Sequence, residues 1–186
     1  KGYSVTTLDR IRAGSQRNIV LTFDGGEINN YDHAFPVLNR HGFLAYFFIV
    51  AKRIGERGYL GWDELKEMHD AGMVIGSHGL SHQILTGLLD TQVEEELRAS
   101  KRYLERNLGI AVDTFSVPGG LCNDKVIQMA YDAGYRHVFI SNRPRNLTLP
   151  CLSRITVRSS WKLERFQQAL DGHVSVMAKG FDVFRS

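Results

Sequence analysis

Short apolar runs alternate with amphipathic segments along most of this 186-residue chain. The apolar runs, rich in β-branched and aromatic residues, lie at 18–23, 43–51, 73–77, 112–117, 135–141 and 152–158. The amphipathic segments close with a glycine, at Gly42, Gly72, Gly109, Gly134 and Gly172. A glycine directly after the last turn is the usual end of an α-helix. The pattern therefore predicts strand and helix in alternation, about six times.

Three helix starts carry polar residues of the kind that cap a helix. Asp63 and Asn123 each precede an amphipathic segment. Asp90 or Thr91, together with Glu94, forms a capping-box pattern before a third. Such side chains accept hydrogen bonds from the N–H groups of the first helical turn, so these residues predict where the three helices begin.

Continuous apolar strands that alternate with helices indicate a parallel β-sheet covered by helices. Such a sheet is either open and doubly wound or curved into a barrel, and the pattern leaves both architectures open. The length predicts a single domain over residues 1–186, which is short for a complete eight-unit barrel of roughly 250 residues. In either architecture, functional residues are expected at the carboxyl ends of the strands.

Charge narrows the set of partners only slightly. The chain carries 23 Lys and Arg against 20 Asp and Glu, a net charge of +3, and the two signs are interspersed. Nucleic acid is therefore not indicated as a partner. The largest basic cluster consists of Arg143, Arg145, Arg154 and Arg158. A solvated surface is predicted for this cluster, in preference to the lining of an anionic pocket.

The sequence predicts neither a membrane span nor a cysteine-based metal site. No apolar run approaches the roughly 20 residues of a transmembrane helix. Cys122 and Cys151 follow no metal-binding spacing, so they are either buried thiols or the two halves of one disulfide.

Reactive side chains follow two of the predicted strands. Asp24 follows the run at 18–23, and His78 and His82 follow the run at 73–77 in the segment GSHGLSH. A spacing of four brings two imidazoles to one side of a tight loop, although HxxxH alone is more often a pair of surface or capping histidines. With Asp24 the pair forms the 2-His-1-carboxylate combination that binds zinc or another first-row metal.

Two further features lie near predicted helix starts. FSVPGG places Pro118, Gly119 and Gly120 after the strand at 112–117, where the backbone either approaches a ligand or makes a plain turn. Trp161 starts the last predicted helix, either as a sugar-stacking platform or as a buried residue of an amphipathic helix.

Three motifs on this repeat, LTFDGG, SHGLSH and FSVPGG, resemble those of the polysaccharide deacetylase family, carbohydrate esterase family 4. The resemblance covers roughly residues 17–171. Members of that family remove N- or O-acetyl groups from chitin, peptidoglycan and exopolysaccharides. The resemblance implies a distorted, incomplete (β/α) barrel with about six to seven parallel strands, a divalent metal, zinc above all, and an acetylated glycan as substrate. It favours the cell envelope or secretion without excluding the cytoplasm, and it implies no oligomeric state.

The resemblance also assigns roles to individual residues. They are Asp24 as general base, His78 and His82 as metal ligands, and Pro118, Gly119 and Gly120 as substrate-binding residues of the third motif. Each assignment is an expectation that follows from the family motifs.

The chain departs from the family pattern in two of the motifs. Gly25 stands where the family has a metal-binding Asp, and Ser116 stands where it has an Arg that orients the base. The missing ligand is replaced either by Asp24 itself or by an oxygen of Glu27, Asp32 or water. If Asp24 becomes a ligand, the site loses its base.

Three functions agree with this pattern. The leading hypothesis is a metal-dependent hydrolase that removes acetyl groups from a glycan, weakened by Gly25. His173 is the only late histidine, but it follows the last predicted helix, whereas the general-acid histidine of the family ends a strand, so the general acid has no clear counterpart. The alternatives are a catalytically degenerate member that binds a glycan without hydrolysing it, and a metal-independent amidase of the allantoinase type.

Overall fold

The computed structural model describes residues 2–11, 17–141 and 146–171, which form a parallel β-sheet covered by helices. Its strands are β1 Ser4–Val5, β2 Asn18–Ile19, β3 Leu21–Gly25, β4 Ala45–Ile49, β5 Val74–Ser77, β6 Thr114–Ser116, β7 His137–Ile140 and β8 Leu152–Ser153. Its α-helices are α1 Phe35–His41, α2 Trp62–Asp70, α3 Asp90–Leu108, α4 Asp124–Asp132 and α5 Leu163–Leu170.

The main sheet has six strands in the order of the chain, β3 to β8, and every neighbouring pair is parallel. β1 and β2 form a separate parallel pair. Among the described residues, the edge strands β3 and β8 do not pair with each other, so the sheet is a half-barrel that is open along one seam. This architecture confirms the predicted incomplete (β/α) barrel and the predicted number of strands.

Local sequence signals determine several helix boundaries as predicted. α1 ends before Gly42 and α3 ends before Gly109. The side chain of Asn123 accepts the N–H of Val126 at 2.9 Å and caps α4. The cap orients the first turn of α4 against the sheet, directly after the third motif.

The boundary predictions for α2, α3 and β8 were wrong. Asp63 lies in the first turn of α2, whose capping residue is Gly61. The capping residue of α3 is Leu89, so the side chain that reaches back is Gln92, whose Oε1 accepts the Leu89 N–H at 3.0 Å. Glu94 therefore lies beyond the capping position. The strand predicted at 152–158 pairs only at Leu152–Ser153, because β8 lies at the edge of the sheet and has a neighbour on one side alone.

The two faces of the sheet bury different side chains. On the outer face, Phe47 and Phe115 join the main core beneath the helices. On the inner face, Tyr46, Phe48 and Phe139 form a separate cluster, with 5.0 Å between the ring centroids of Phe48 and Phe139. Because aromatic rings fill the inside of the half-barrel, polar chemistry is confined to its rim.

The structure bears on two questions that the sequence raised, namely whether the two cysteines pair and whether a helix could span a membrane. Cys122 and Cys151, which both lie in the described ranges, do not form a disulfide with each other, in agreement with the thiol alternative. In the part of the chain that the structure describes, no helix is long and apolar enough to cross a membrane.

Gly76 provides a test of how tightly the inner face is packed. Its position on β5 pairs with Phe48, and a Cβ at Gly76 would lie 2.6 Å from the Phe48 ring and 2.5 Å from Oγ1 of Thr114. We expect Gly76→Ala to lower the free energy of unfolding by about 1–3 kcal/mol, because the inner cluster is then overpacked. Urea denaturation measures this loss.

Gly87→Ala is the matched control, because a Cβ at Gly87 meets no atom within 4 Å. Its free energy of unfolding should stay within about 0.5 kcal/mol of the wild-type value. Equal losses in the two variants would contradict a tightly packed inner face.

Candidate active site

The carboxyl ends of the parallel strands bring polar side chains from distant parts of the chain to one rim. Asp24 lies near the end of β3, His78 directly follows β5, and Ser116 ends β6. Ser141 follows β7 and Arg154 follows β8. The structure therefore places Asp24 and His78 at the edge of the sheet where functional residues were expected.

Asp24 and Arg154 form a two-pronged ion pair at this rim. Nη1 of Arg154 donates to Oδ1 of Asp24 and Nη2 donates to Oδ2, each at 2.7 Å. The hydroxyl of Ser116 also donates to Oδ2, at 3.1 Å. The Asp24 side chain is 30% exposed, whereas the Arg154 side chain is 11% exposed. The carboxylate is thus held in one orientation and is still reached by solvent.

The predicted solvated basic cluster is wrong for Arg154. Its guanidinium lies inside the rim and also donates to Oγ1 of Thr22 at 3.1 Å. Arg158 is exposed, as predicted, and Arg143 and Arg145 lie outside the described residues. Arg154 belongs to the site because its strand forms one edge of the seam.

The surroundings of Asp24 keep its carboxyl group ionised. Burial by itself would raise the pKa of Asp24, but the hydrogen bonds and the charge of Arg154 outweigh it, with smaller contributions from His78 and Ser116. The pKa therefore lies below its ordinary value of 3.8. A carboxylate has about four lone-pair positions. Donors among the described residues occupy three of them, and the remaining acceptor position is on Oδ1.

His78 is oriented by the end of β6. Its Nδ1–H donates to the carbonyl oxygen of Ser116 at 2.7 Å, so Nε2 carries the lone pair and lies 3.9 Å from Oδ2 of Asp24. Burial lowers the pKa of His78, and this effect exceeds the opposite effects of Asp24 and of the Ser116 carbonyl. A neutral imidazole with a free Nε2 is the form that binds a metal ion.

The imidazole of His82 faces that of His78. The two ring centroids are 4.9 Å apart and the ring planes meet at 62°. The structure thus brings the two predicted ligands together. Among the described residues, however, no three His, Cys, Asp or Glu side chains form a cluster that would hold a metal. Two histidines fit a divalent metal, and the third protein ligand is missing from this arrangement.

The gap in the ligand set that the family resemblance predicts is at Gly25. Its φ of +105° is unfavourable for any residue with a Cβ, and the nearest atom to a Cβ built there is Cγ of Glu27 at 3.9 Å. Of the replacement ligands that were predicted, Glu27 is thus beside the gap, with an exposed side chain. Asp32 is exposed in the π-helical turn 30–34, and His173 lies outside the described residues.

Comparison with known proteins identifies the family. The sequence profile of the polysaccharide deacetylases matches residues 12–138, more than half of the chain. The chain belongs to this family. YxkH of Bacillus subtilis, whose name places it among the polysaccharide deacetylases, is 33% identical over 122 residues, which are 66% of this chain and 44% of YxkH. The peptidoglycan-N-acetylglucosamine deacetylase of Bacillus cereus is 29% identical over 144 residues, 76% of this chain and 65% of that protein.

A solved structure agrees with the assignment to the family. The crystal structure of a polysaccharide deacetylase from Bacillus cereus superimposes with a TM-score of 0.76 at 25% identity, over 91% of this chain and 57% of that one. The chain therefore spans less than two thirds of each of these relatives.

This member of the polysaccharide deacetylase family positions the arginine beside its predicted base differently from the family motif. Ser116 occupies the motif position, and its hydroxyl receives a hydrogen bond from Nη2 of Arg154 at 2.8 Å. The arginine comes from the strand on the other side of the seam. Sequence reasoning missed Arg154 because nothing local distinguishes it from the exposed Arg158.

The third motif forms a single 3₁₀ turn over Pro118–Gly120, ahead of α4. Pro118 is buried, and its Cγ lies 3.5 Å from a Cβ built on Gly79 in the loop between the two histidines. Gly120 lies close to Ser141, since a Cβ at Gly120 would be 3.2 Å from the Ser141 nitrogen. Gly119 is exposed. Substrate binding by these three residues stays a prediction.

Trp161 precedes the last helix instead of starting it. α5 begins at Leu163, and the guanidinium of Arg165 lies 4.9 Å from the centroid of the Trp161 ring. One face of the indole is therefore covered by a cation of the same segment. The sugar-stacking role stays a prediction.

A cavity of about 530 Å³ opens along the seam beside the ion pair. Asp24 and Arg154 contribute to its wall, together with Val20 just before β3, Ser153 of β8 and Phe166 of α5. The ion pair thus lies where the rim meets the open side of the half-barrel.

Arg154→Gln tests the electrostatic role of this arginine. We expect the pKa of Asp24 to rise, because the hydrogen bonds and the charge of Arg154 no longer offset burial and only the smaller contributions of His78 and Ser116 still lower it. The lowered pKa stabilises the fold above pH 3.8, and that contribution is lost as the pH falls through the pKa of the folded state, so the variant should lose it. Carbon-13 NMR titration of the Asp carboxyls measures the pKa.

Arg158→Gln is the control for this experiment, because Arg158 is exposed. The titration of Asp24 should not change in that variant. An unchanged pKa in Arg154→Gln would show that the ion pair does not persist in solution.

Proposed function

We propose that this chain is a hydrolase that removes acetyl groups from a glycan, with N-acetyl groups as the preferred target. The observation that carries the proposal is a solvent-reached carboxylate, Asp24, fixed by Arg154 and Ser116 beside the His78–His82 pair. The name of the Bacillus cereus relative specifies deacetylation of N-acetylglucosamine in peptidoglycan, and it supports the choice of linkage.

The reaction adds water across an amide bond. The oxygen of water attacks the acetyl carbonyl carbon while Asp24 takes a proton from that water through the remaining acceptor position on Oδ1. The C–N bond then breaks, the nitrogen takes the proton held on Asp24 to become a free amine, and acetate leaves after its acid proton is released to solvent. Arg154 keeps the carboxylate ionised until it accepts the proton and holds it in one orientation, at the cost of lowering its basicity.

The histidine pair supports a metal-dependent form of this reaction. His78 through Nε2, and His82, would hold a divalent metal, with zinc favoured by the two imidazoles. Glu27, whose Cγ lies 3.9 Å from a Cβ built at Gly25, would offer a carboxylate as third ligand. When bound, such an ion polarises the acetyl carbonyl and lowers the pKa of water. In this arrangement Asp24 stays paired with Arg154 and remains available as base.

Asp24→Asn tests the proposed base. We expect release of acetate from N-acetylglucosamine oligomers and from peptidoglycan to fall by about 10²- to 10⁴-fold, because the amide cannot accept the proton of water. Acetate is measured with an enzyme-coupled assay, with zinc supplied. Asp132→Asn, at an exposed position at the end of α4, should keep the wild-type rate. Equal rates in Asp24→Asn and the wild type would remove Asp24 from the mechanism.

A second candidate function is glycan binding without turnover, and Gly25 favours it because a metal ligand of the family is absent. Glycan binding in both the wild type and Asp24→Asn, with no acetate released by either, would establish this alternative. Acetate release that persists in strong chelators would instead indicate the metal-independent amidase.

Gly25→Asp tests whether the gap weakens metal binding. Loss of an outer-shell partner weakens metal binding by roughly 10- to 100-fold. A restored carboxylate that binds the metal directly should therefore tighten zinc binding by at least that factor. The same change places a Cβ at a φ of +105°, so we expect a lower melting temperature as well. Calorimetric titration with zinc measures the affinity, and unchanged affinity would show that this position does not face the metal.

A further inference from the structure

Glu96 is a buried acidic residue that the proposed mechanism does not use. It lies on α3 with only 6% of its surface exposed, in a stripe whose neighbours Val93, Leu97 and Leu104 belong to the hydrophobic core. A buried carboxylate is costly unless polar groups satisfy its oxygens. The groups that donate hydrogen bonds to the Glu96 carboxylate therefore indicate what this residue does.

The partners of Glu96 lie in the loop between the two histidines. Oε2 of Glu96 accepts the backbone N–H groups of Leu80 and Ser81, each at 2.9 Å. Oε1 accepts the hydroxyl of Ser81. One carboxylate thus binds both backbone donors that immediately precede His82.

The other side of the same loop is held by the turn after β4. The N–H of Ala51 donates to the carbonyl of Gly79 at 3.1 Å, and the N–H of Lys52 donates to the carbonyl of Leu80 at 2.9 Å. The loop is therefore clamped from both sides, through its donors by Glu96 and through its acceptors by the turn.

The backbone of this loop requires such support. His82 has a φ of +65°, in the left-handed region that is unfavourable for a residue with a Cβ. Gly79 has a φ of +81°, and a Cβ there would lie 3.1 Å from Oε2 of Glu96, so only glycine lets the carboxylate approach this closely. An unfavourable conformation persists only where its surroundings impose it.

We propose that Glu96 is a positioning residue that sets the backbone of residues 79–82 and thereby holds the His82 ring against that of His78. The inference rests on the proposed function in so far as the histidine pair binds metal. The hydrogen bonds of the Glu96 carboxylate described above go to the loop backbone and to Ser81, so its effect on the rings is exerted through the loop.

Three variants distinguish an effect of Glu96 on the position of the loop from an effect on the stability of the whole fold. Glu96→Leu removes all three acceptor contacts in a buried stripe that accommodates an apolar residue. Glu96→Gln preserves them, because its amide oxygen accepts both N–H groups and its amide nitrogen donates to the Ser81 hydroxyl. Leu104→Ala, two turns further along α3, destabilises the same helix without touching the loop.

Two measurements follow the histidine pair with and without metal. In the apo protein, NMR records the cross-relaxation between the imidazole protons of His78 and His82, whose centroids are 4.9 Å apart. Calorimetric titration then measures zinc affinity. In Glu96→Leu we expect loss of the cross-peak and an affinity lower by about tenfold or more. Glu96→Gln and Leu104→Ala should keep both, although Leu104→Ala melts at a lower temperature.

The outcomes distinguish this inference from the proposed function. A wild type that binds no zinc would contradict metal dependence, and the cross-peak alone would then decide the role of Glu96. A cross-peak and zinc affinity in Glu96→Leu equal to those of the wild type would overturn the inference. Should Glu96→Leu not fold, Glu96→Asp makes the same prediction, because its carboxylate is one methylene short of the two amides.

Discussion

The ion pair between Asp24 and Arg154 links β3 to the segment after β8, across the open seam of the half-barrel. β3 and β8 are the edges of the six-stranded sheet, and in the described residues no backbone hydrogen bonds connect them. Side chains make the connection instead, through the carboxylate and through Oγ1 of Thr22. Ser116 contacts both members of the pair and orients His78 with its carbonyl, so the geometry of the rim follows from this one contact.

Much of the fold could be predicted because each unit of strand and helix is specified locally. An apolar run, a capping residue such as Asn123 and a closing glycine such as Gly109 lie within a few residues of the boundaries that they set. The placement of Asp24 and His78 follows from topology, because parallel strands share one carboxyl edge. Local signals fail where a boundary depends on neighbours, as at the short edge strand β8.

Arg154 and Glu96 were not predicted because their roles depend on which side chains share the inner face of the sheet and which loop packs on α3. The sequence alone shows neither. Arg154 lies two residues after Leu152, whose side chain packs on the inner aromatic cluster, and residues two apart on a strand share a face. That signal becomes readable only when the inner face is known. Glu96 did carry a signal, a carboxylate in line with Val93 and Leu97, but its partners belong to a loop that only the tertiary structure brings near.

The separation of Asp24 and Arg154 along the chain, 130 residues, also has a consequence for biosynthesis. At a synthesis rate of ~5–20 residues per second, the aspartate leaves the ribosome roughly 10 s before its arginine. Contacts between such distant residues form late, because a long loop must close before they contribute. A nascent chain that has already folded its first βα units therefore carries both histidines and the carboxylate, but the carboxylate becomes oriented only when the last strand docks.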